Sequence, residues 1–219
     1  MVCGRRIRGA AFDDCTVCLS IEQLEIKGMG FLETETLKLE FKSVAQTIYY
    51  DVEDNLREKT NNPKAMKKFL EKVEALLVNE RENRYLLYGM IGNLYRILEE
   101  PKKAIDYLER ALGIAKEEND DAKIAVSLIR LGEAIKYDGK RQRAFDIFEE
   151  AMGILHKHDL EHYLDFALQH KGKCLLELKR YEEAEDCFRE TLEIRKRKKD
   201  ASLIDSTEQV LTFMEEMEF

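Results

Sequence analysis

The sequence predicts an all-α chain of stacked helix pairs, and three observations carry that prediction. Residues recur at a fixed step of 40: Gly92, Gly132 and Gly172; Ala104, Ala144 and Ala184; Leu108, Phe148 and Phe188; and Ala111, Ala151 and Thr191. Self-similarity at a period in the tens of residues marks a solenoid, in which each repeat buries its apolar face against the next. The composition is helical in character: 37% charged and 44% hydrophobic, with two prolines and no tryptophan, and rich in Glu, Lys, Leu and Ala. Apolar residues also fall at helical spacing before and after the repeats.

Taken in order, residues 1–30 differ from the rest. They hold three of the five cysteines and four of the eleven glycines. Cys15 and Cys18 form a C-x-x-C with Cys3 upstream, but a structural zinc site takes four ligands. No histidine precedes His156 and there is no second C-x-x-C. A thioredoxin-like motif would need a βαβ setting, which the sequence lacks. We read this stretch as a poorly ordered leader, with Met29 a candidate start of the native protein.

Residues 31–82 are expected to form a helical hairpin, a degenerate repeat or N-terminal cap. Leu37, Phe41, Val44, Ala45, Ile48, Val52 and Leu56 follow helical spacing from Thr34, a candidate N-cap, to about Lys59. Asn62 and Pro63 then suit the cap and first turn of a second helix with Met66, Phe69, Leu70, Val73, Leu76 and Leu77 on one face. Residues 83–200 hold three repeats, each with an A and a B helix. The pairs cover about 82–98 and 101–117, 121–137 and 141–156, and 160–178 and 181–198. Residues 201–219 form a closing helix, with Leu203, Ile204, Val210, Leu211 and Met214 on one side and Glu208, Glu215 and Glu216 on the other. A solenoid needs such a polar outer face at its open end.

The residue code within each unit resembles the tetratricopeptide repeat (TPR) family. It reads Tyr88-x2-Ile91-Gly92-x2-Tyr95 then Ala104-x3-Leu108; Leu128-x2-Leu131-Gly132-x2-Ile135 then Ala144-x3-Phe148; and Leu168-x2-Lys171-Gly172-x2-Leu175 then Ala184-x3-Phe188. The match covers about half the chain. The step of 40 exceeds the roughly 34 residues of the usual unit, and the closing proline is absent. The resemblance implies a right-handed solenoid of antiparallel helix pairs with a C-terminal capping helix. A mid-helix glycine costs about 1 kcal/mol against alanine, and close approach of helix B is what it gains in return.

The same resemblance implies a concave groove lined by the A helices and taking an extended or helical peptide. By register the groove includes Leu86, Met90, Asn93, Arg96 and Ile97; Ile129, Arg130, Glu133, Lys136 and Tyr137; and Phe166, Gln169, His170 and Lys173. The candidate peptide contacts are Asn93, Arg96, Arg130, Glu133, Lys136, Tyr137, His170 and Lys173. Arg96, Arg130, Lys136 and Lys173 outnumber Glu133, so the groove is locally basic and suits an acidic peptide or the free C-terminus of a protein. The bland alternative, ordinary exposed helix charges, stands beside it. Some TPR proteins grip acidic chaperone C-termini with a Lys, Asn, Asn, Lys, Arg clamp. Only Asn93 matches here; Gly89, Arg130, Phe166 and His170 stand at the other positions.

The remaining signals are weaker. The net charge of −8 argues against general nucleic-acid binding. No run nears the ~18 apolar residues of a membrane helix, and no signal peptide is evident. An odd cysteine count argues against a disulfide framework. His156, His158 and His162 form an H-x-H-x3-H cluster of metal-ligating type in a connection, where polar residues are expected anyway, and Asp159 is read as a helix cap. Arg195–Lys199 is a basic run at a helix end, where cations favour the dipole. Cys174 and Cys187 are read as packing residues. No nucleophile motif, phosphate loop or catalytic carboxylate pair stands out, so no enzyme and no cofactor is expected. The leading reading is a cytoplasmic adaptor binding a protein or peptide. The alternatives are a peptide-sensing regulator of the kind found in bacteria and a metal or redox protein.

Overall fold

The computed structural model describes residues 6–8, 31–79 and 81–216. In sequence order the elements are β1 (Arg6–Arg8), α1 (Phe31–Ala45), β2 (Ile48–Asp51), β3 (Arg57–Thr60), α2 (Pro63–Asn79), α3 (Arg84–Ile97), α4 (Pro101–Glu117), α5 (Asp121–Tyr137), α6 (Arg141–Lys157), α7 (Leu164–Glu177), α8 (Tyr181–Lys198) and α9 (Ala201–Glu216). Short 3-10 turns cover Val52–Asp54 and Glu161–Tyr163.

The repeats form as their spacing predicts. The pairs α3–α4, α5–α6 and α7–α8 pack antiparallel, and each pair packs on the next. A Cβ built on Gly92 would lie 2.5 Å from Leu108 Cγ. On Gly132 and Gly172 it would lie 2.9 and 2.8 Å from Cε1 of Phe148 and Phe188. All three distances are below any real Cβ contact, so the glycines admit the large residue of helix B. Ala104, Ala144 and Ala184 are fully buried beside them.

The turns repeat as well. Glu99, Gly139 and Lys179 take positive φ of 60, 82 and 62°, and so do Asn119, Asp159 and Lys199 at 53, 55 and 62°. Each set keeps the 40-residue step. After α3, α5 and α7 the closure is a Schellman motif: Glu100 N donates to Tyr95 O, Lys140 N to Ile135 O, and Arg180 N to Leu175 O at 2.9–3.2 Å. Asp159 therefore closes α6 in a left-handed conformation and does not cap the following turn, whose N-cap is Leu160. Asp120 is a true cap, accepting from Lys123 N at 3.0 Å. Helix α9 buries Val210, Leu211 and Met214 against the last repeat and exposes Glu208, Glu215 and Glu216.

The N-terminal part departs from its expected form. Helix α1 begins at Phe31, so Thr34 lies inside it, and it ends at Ala45 instead of running to Lys59. Thr47 accounts for the stop: its N and Oγ1 both bond Val44 O, at 3.0 and 2.6 Å. Ile48, Tyr49 and Tyr50 follow, and β-branched and aromatic residues crowd a helix but suit a strand. Strands β2 and β3 pair antiparallel, with Ile48 opposite Thr60, Tyr50 opposite Glu58 and Asp51 opposite Arg57. At the tip Asn55 and Leu56 have φ of 51 and 60°, and Leu56 N returns to Asp51 O at 2.9 Å. β1 pairs with β2 from the other side, so residues 6–8 of the expected leader are a strand. Cys3, Cys15, Cys18 and Met29 lie outside the described residues. The second helix, α2, starts as expected: Ala65 N donates to Asn62 Oδ1 at 3.1 Å and Pro63 is its first residue. α1 packs on α2 through Phe41 and Phe69, and α2 packs on α3.

Candidate functional site

Helices α3, α5 and α7 carry the eight expected groove residues, and contacts link Arg96, Glu133, Lys136, Tyr137, His170 and Lys173. Asn93 and Arg96 come from α3; Arg130, Glu133, Lys136 and Tyr137 from α5; His170 and Lys173 from α7. The expectation of an open trough needs correction. Arg96, Lys136 and His170 are 0% exposed and Arg130 is 3% exposed, while Tyr137 is half-buried. The β2–β3 hairpin, invisible in the helical reading, accounts for much of this.

The hairpin touches all three A helices. Arg57 grips the Glu177 carboxylate of α7 with two bonds, Nε to Oε1 at 2.8 Å and Nη2 to Oε2 at 2.7 Å, and reaches the carbonyl of Lys136 on α5 at 3.2 Å. Arg141 joins the same carboxylate at 3.0 Å. The Glu58 carboxylate, 1% exposed, accepts from Arg96 Nη2 at 2.5 Å and lies 3.9 Å from Lys173 Nζ. Its backbone is held too: Glu58 N donates to Tyr137 Oη at 2.5 Å, and that hydroxyl faces Glu58 O at 3.3 Å. The Lys173 ammonium stands 3.8 Å from the centre of the Tyr50 ring. The guanidinium groups of Arg57 and Arg96 lie 4.9 and 5.0 Å from the Tyr137 ring centre.

Glu133 sits among Lys136, His170 and Arg96. Lys136 Nζ is 2.8 Å from it, His170 Nδ1 3.3 Å and Arg96 Nη1 3.6 Å. Burial pushes this carboxyl upward, but Lys136, His170 and Arg96 outweigh it and hold the group well below the usual carboxylate range. Burial lowers His170 from its usual 6.5, more than Glu133 raises it. Burial also raises the Tyr137 phenol well above its usual value, and it stays protonated. Among the described residues, neither amide atom of Asn93 nor of Gln169 has a hydrogen-bond partner, although Asn93 and Gln169 are both 0% exposed.

Register found the A-helix residues but missed Tyr50, Arg57, Glu58 and Glu177. The signal for the first three was a run of strand-forming residues, Ile48–Tyr50, ahead of a polar turn at Asp54 and Asn55. The basic run also proves partly structural. Arg195 is buried, bonding Thr207 Oγ1 at 2.7 Å and Leu203 O at 3.2 Å and facing Asp165 at 3.4 Å, so it ties α7, α8 and α9 together. Lys198 adds a bond to Asp165 at 2.6 Å. His158 pairs with Asp121 at 2.9 Å, and no group of three metal-ligating side chains occurs among the described residues. Burial pushes the Cys174 thiol up to about 12 and that of Cys187 to about 11, which makes both poor nucleophiles. No described helix is long and apolar enough to cross a membrane.

The family model for the tetratricopeptide repeat matches residues 83–157 and again 124–197, together more than half of the 219 residues. The chain is 22% identical over 179 residues to response regulator aspartate phosphatase A of Bacillus subtilis (strain 168), covering 82% of this chain and 46% of that protein. It thus spans about half the length of the curated relative it matches. Among solved structures, the apo form of RapI aligns with a TM-score of 0.55 at 21% identity, over 71% of this chain and 58% of that one. The TPR domain of Arabidopsis FLU aligns at 0.48 and 19% identity, over 54% and 98%. The likeness to RapI is one of fold.

Proposed function

Because this chain belongs to the tetratricopeptide repeat family, we propose that it is a non-catalytic scaffold that holds a protein or peptide on the face of α3, α5 and α7. The observation that carries this is that the A helices α3, α5 and α7 hold four buried cations, Arg96, Arg130, Lys136 and Lys173, two of which meet the carboxylate of a segment from outside the repeats, Glu58. Four cations held by packed helices are pre-oriented for a carboxylate-bearing segment, so little side-chain entropy is lost on binding. The partner class is an acidic peptide or acidic protein segment, met in the cytoplasm.

The test is to titrate acidic and basic peptide libraries against wild type, Arg130→Gln and Arg130→Glu, with circular dichroism confirming that each variant is folded. Acidic peptides should lose on the order of tenfold in affinity with Arg130→Gln, the size of one charge-assisted hydrogen bond, and more with Arg130→Glu. Unchanged affinity for every peptide in both variants would rule the groove out.

A second reading is a peptide-responsive regulator acting on a response-regulator partner. The match to response regulator aspartate phosphatase A over 82% of this chain favours it. A cross-linking pull-down from the native cell separates the two, because a response regulator among the captured proteins would support the second.

A further inference from the structure

The hairpin that fills the groove has the chemistry expected of a ligand. It is an extended segment from outside the repeats, it presents a carboxylate to Arg96 and Lys173, and its backbone is held by a side chain of α5. It also coheres without the groove. Asn61 N bonds Thr47 O at 3.0 Å and the two threonine hydroxyls Thr47 and Thr60 meet at 2.7 Å, closing its base. At its tip Lys59 Nζ bridges Asp51 and Asp54 at 3.0 and 2.8 Å. Beside buried Ile48, Tyr50 and Leu56, its polar grip on the groove runs through Arg57 and Glu58, and an incoming carboxylate could replace the Glu58 contact like for like.

The fit is incomplete. Asn93 and Gln169 are wholly buried, yet among the described residues their amides bond nothing. A buried amide without a partner carries the full desolvation penalty. Both stand on the groove-forming helices α3 and α7, so a ligand that reached these amides would gain bonds the hairpin does not make.

Resting on the scaffold reading above, we propose that the β2–β3 hairpin is an in-cis occupant of the ligand groove, that its Glu58 carboxylate holds the place of a carboxylate on an acidic peptide, and that binding such a peptide displaces the hairpin. The closed arrangement then sets the affinity threshold. If the hairpin is out of the groove in only a small fraction of molecules, the apparent affinity falls by that fraction. Displacement would also free the Arg57 guanidinium from Glu177 and expose Tyr50, offering a new surface to a second partner.

The experiment uses the full-length protein and fluorescein-labelled hexaglutamate, with hexalysine as the charge control. Fluorescence anisotropy should show Glu58→Gln binding hexaglutamate roughly tenfold tighter than wild type, as expected for a groove shut about nine-tenths of the time, with hexalysine unchanged. Hydrogen exchange on the wild type needs no variant: saturating hexaglutamate should speed exchange of the Glu58 amide, which bonds Tyr137 Oη on α5, while α5 and α7 stay protected. Equal affinity in wild type and Glu58→Gln, or a Glu58 amide that stays protected in the bound protein, overturns in-cis occupancy and leaves the scaffold reading standing. Failure of hexaglutamate and every acidic library peptide to bind either protein removes both.

Discussion

Residues 84–198 and residues 46–62 lie against each other but are specified in different ways. In the repeats each contact is written three times, so that Gly132 against Phe148 is also Gly92 against Leu108 and Gly172 against Phe188. In the hairpin each contact is written once: Arg57 to Glu177, Glu58 to Arg96, Tyr50 to Lys173. The repeats are bound mainly by apolar packing, whereas the hairpin adds to its buried Ile48, Tyr50 and Leu56 a set of charged contacts through Arg57 and Glu58. Packed repeats open only with the whole fold, whereas a short segment joined by single, unrepeated contacts can open locally at lower cost. The first region is built as a frame and the second as something that can let go.

The sharpest way to break this contrast is to truncate one buried apolar residue in each region. Phe148→Ala should cost about 3–5 kcal/mol of global stability by urea denaturation, since its ring fills the space over Gly132. Leu56→Ala, although Leu56 is just 1% exposed, should cost clearly less in the same experiment and should instead speed hydrogen exchange across residues 48–60. Equal global losses would show that hairpin and repeats unfold as one unit.

A smaller effect is expected from pH. The folded-state value of His170 lies below its usual 6.5. The unfolded state therefore binds the proton more readily, and stability falls as pH drops below about 6.5 toward the folded value. Glu133 is shifted downward from its usual 4.5, so its contribution is present above that value and is lost below it, in a second and more acidic window. Stability measured from pH 7.5 to 3 should thus decline in two stages, and His170→Gln should flatten the first and weaken the second. A profile unchanged in that variant would remove His170 from the account.

The smallest effect belongs to the turns. Lys179 sits at φ 62° where its counterpart Gly139 sits at 82°. Lys179→Gly should raise stability by up to about 1 kcal/mol by relieving a left-handed side chain. Thermal unfolding reads this directly, and a loss would show that the side chain of Lys179 contributes more than its backbone strain costs.

These differences also explain what the sequence disclosed. The repeats were legible because periodicity averages over local accidents: Gly92, Gly132 and Gly172 in phase with three alanines leave few folds open. The A-helix cations followed from the same register, so Arg96, Arg130, Lys136 and Lys173 were found together. The hairpin was missed because Ile48, Val52 and Leu56 happen to continue the three-to-four-residue spacing of Leu37, Phe41 and Val44. Only the strand preference of Ile48–Tyr50 and the hydroxyl of Thr47 opposed that reading, and both act within a few residues. Docking against α3, α5 and α7 decides the outcome, and no short sequence window contains those partners. For the same reason Glu133, readable as a groove residue, could not be read as a member of a buried charge cluster, nor Arg195 as a buried tie between three helices.

The left-handed residues at 99, 139 and 179, and again at 119, 159 and 199, make the solenoid divisible. Every 40-residue block enters and leaves through the same backbone geometry, whichever side chain stands there. A block such as residues 121–160 could therefore be duplicated or spliced out and the backbone would still rejoin in register. Genetic lengthening of this scaffold needs no new hinge, and a ladder of longer and shorter versions would show how many rungs the hairpin must span to stay seated.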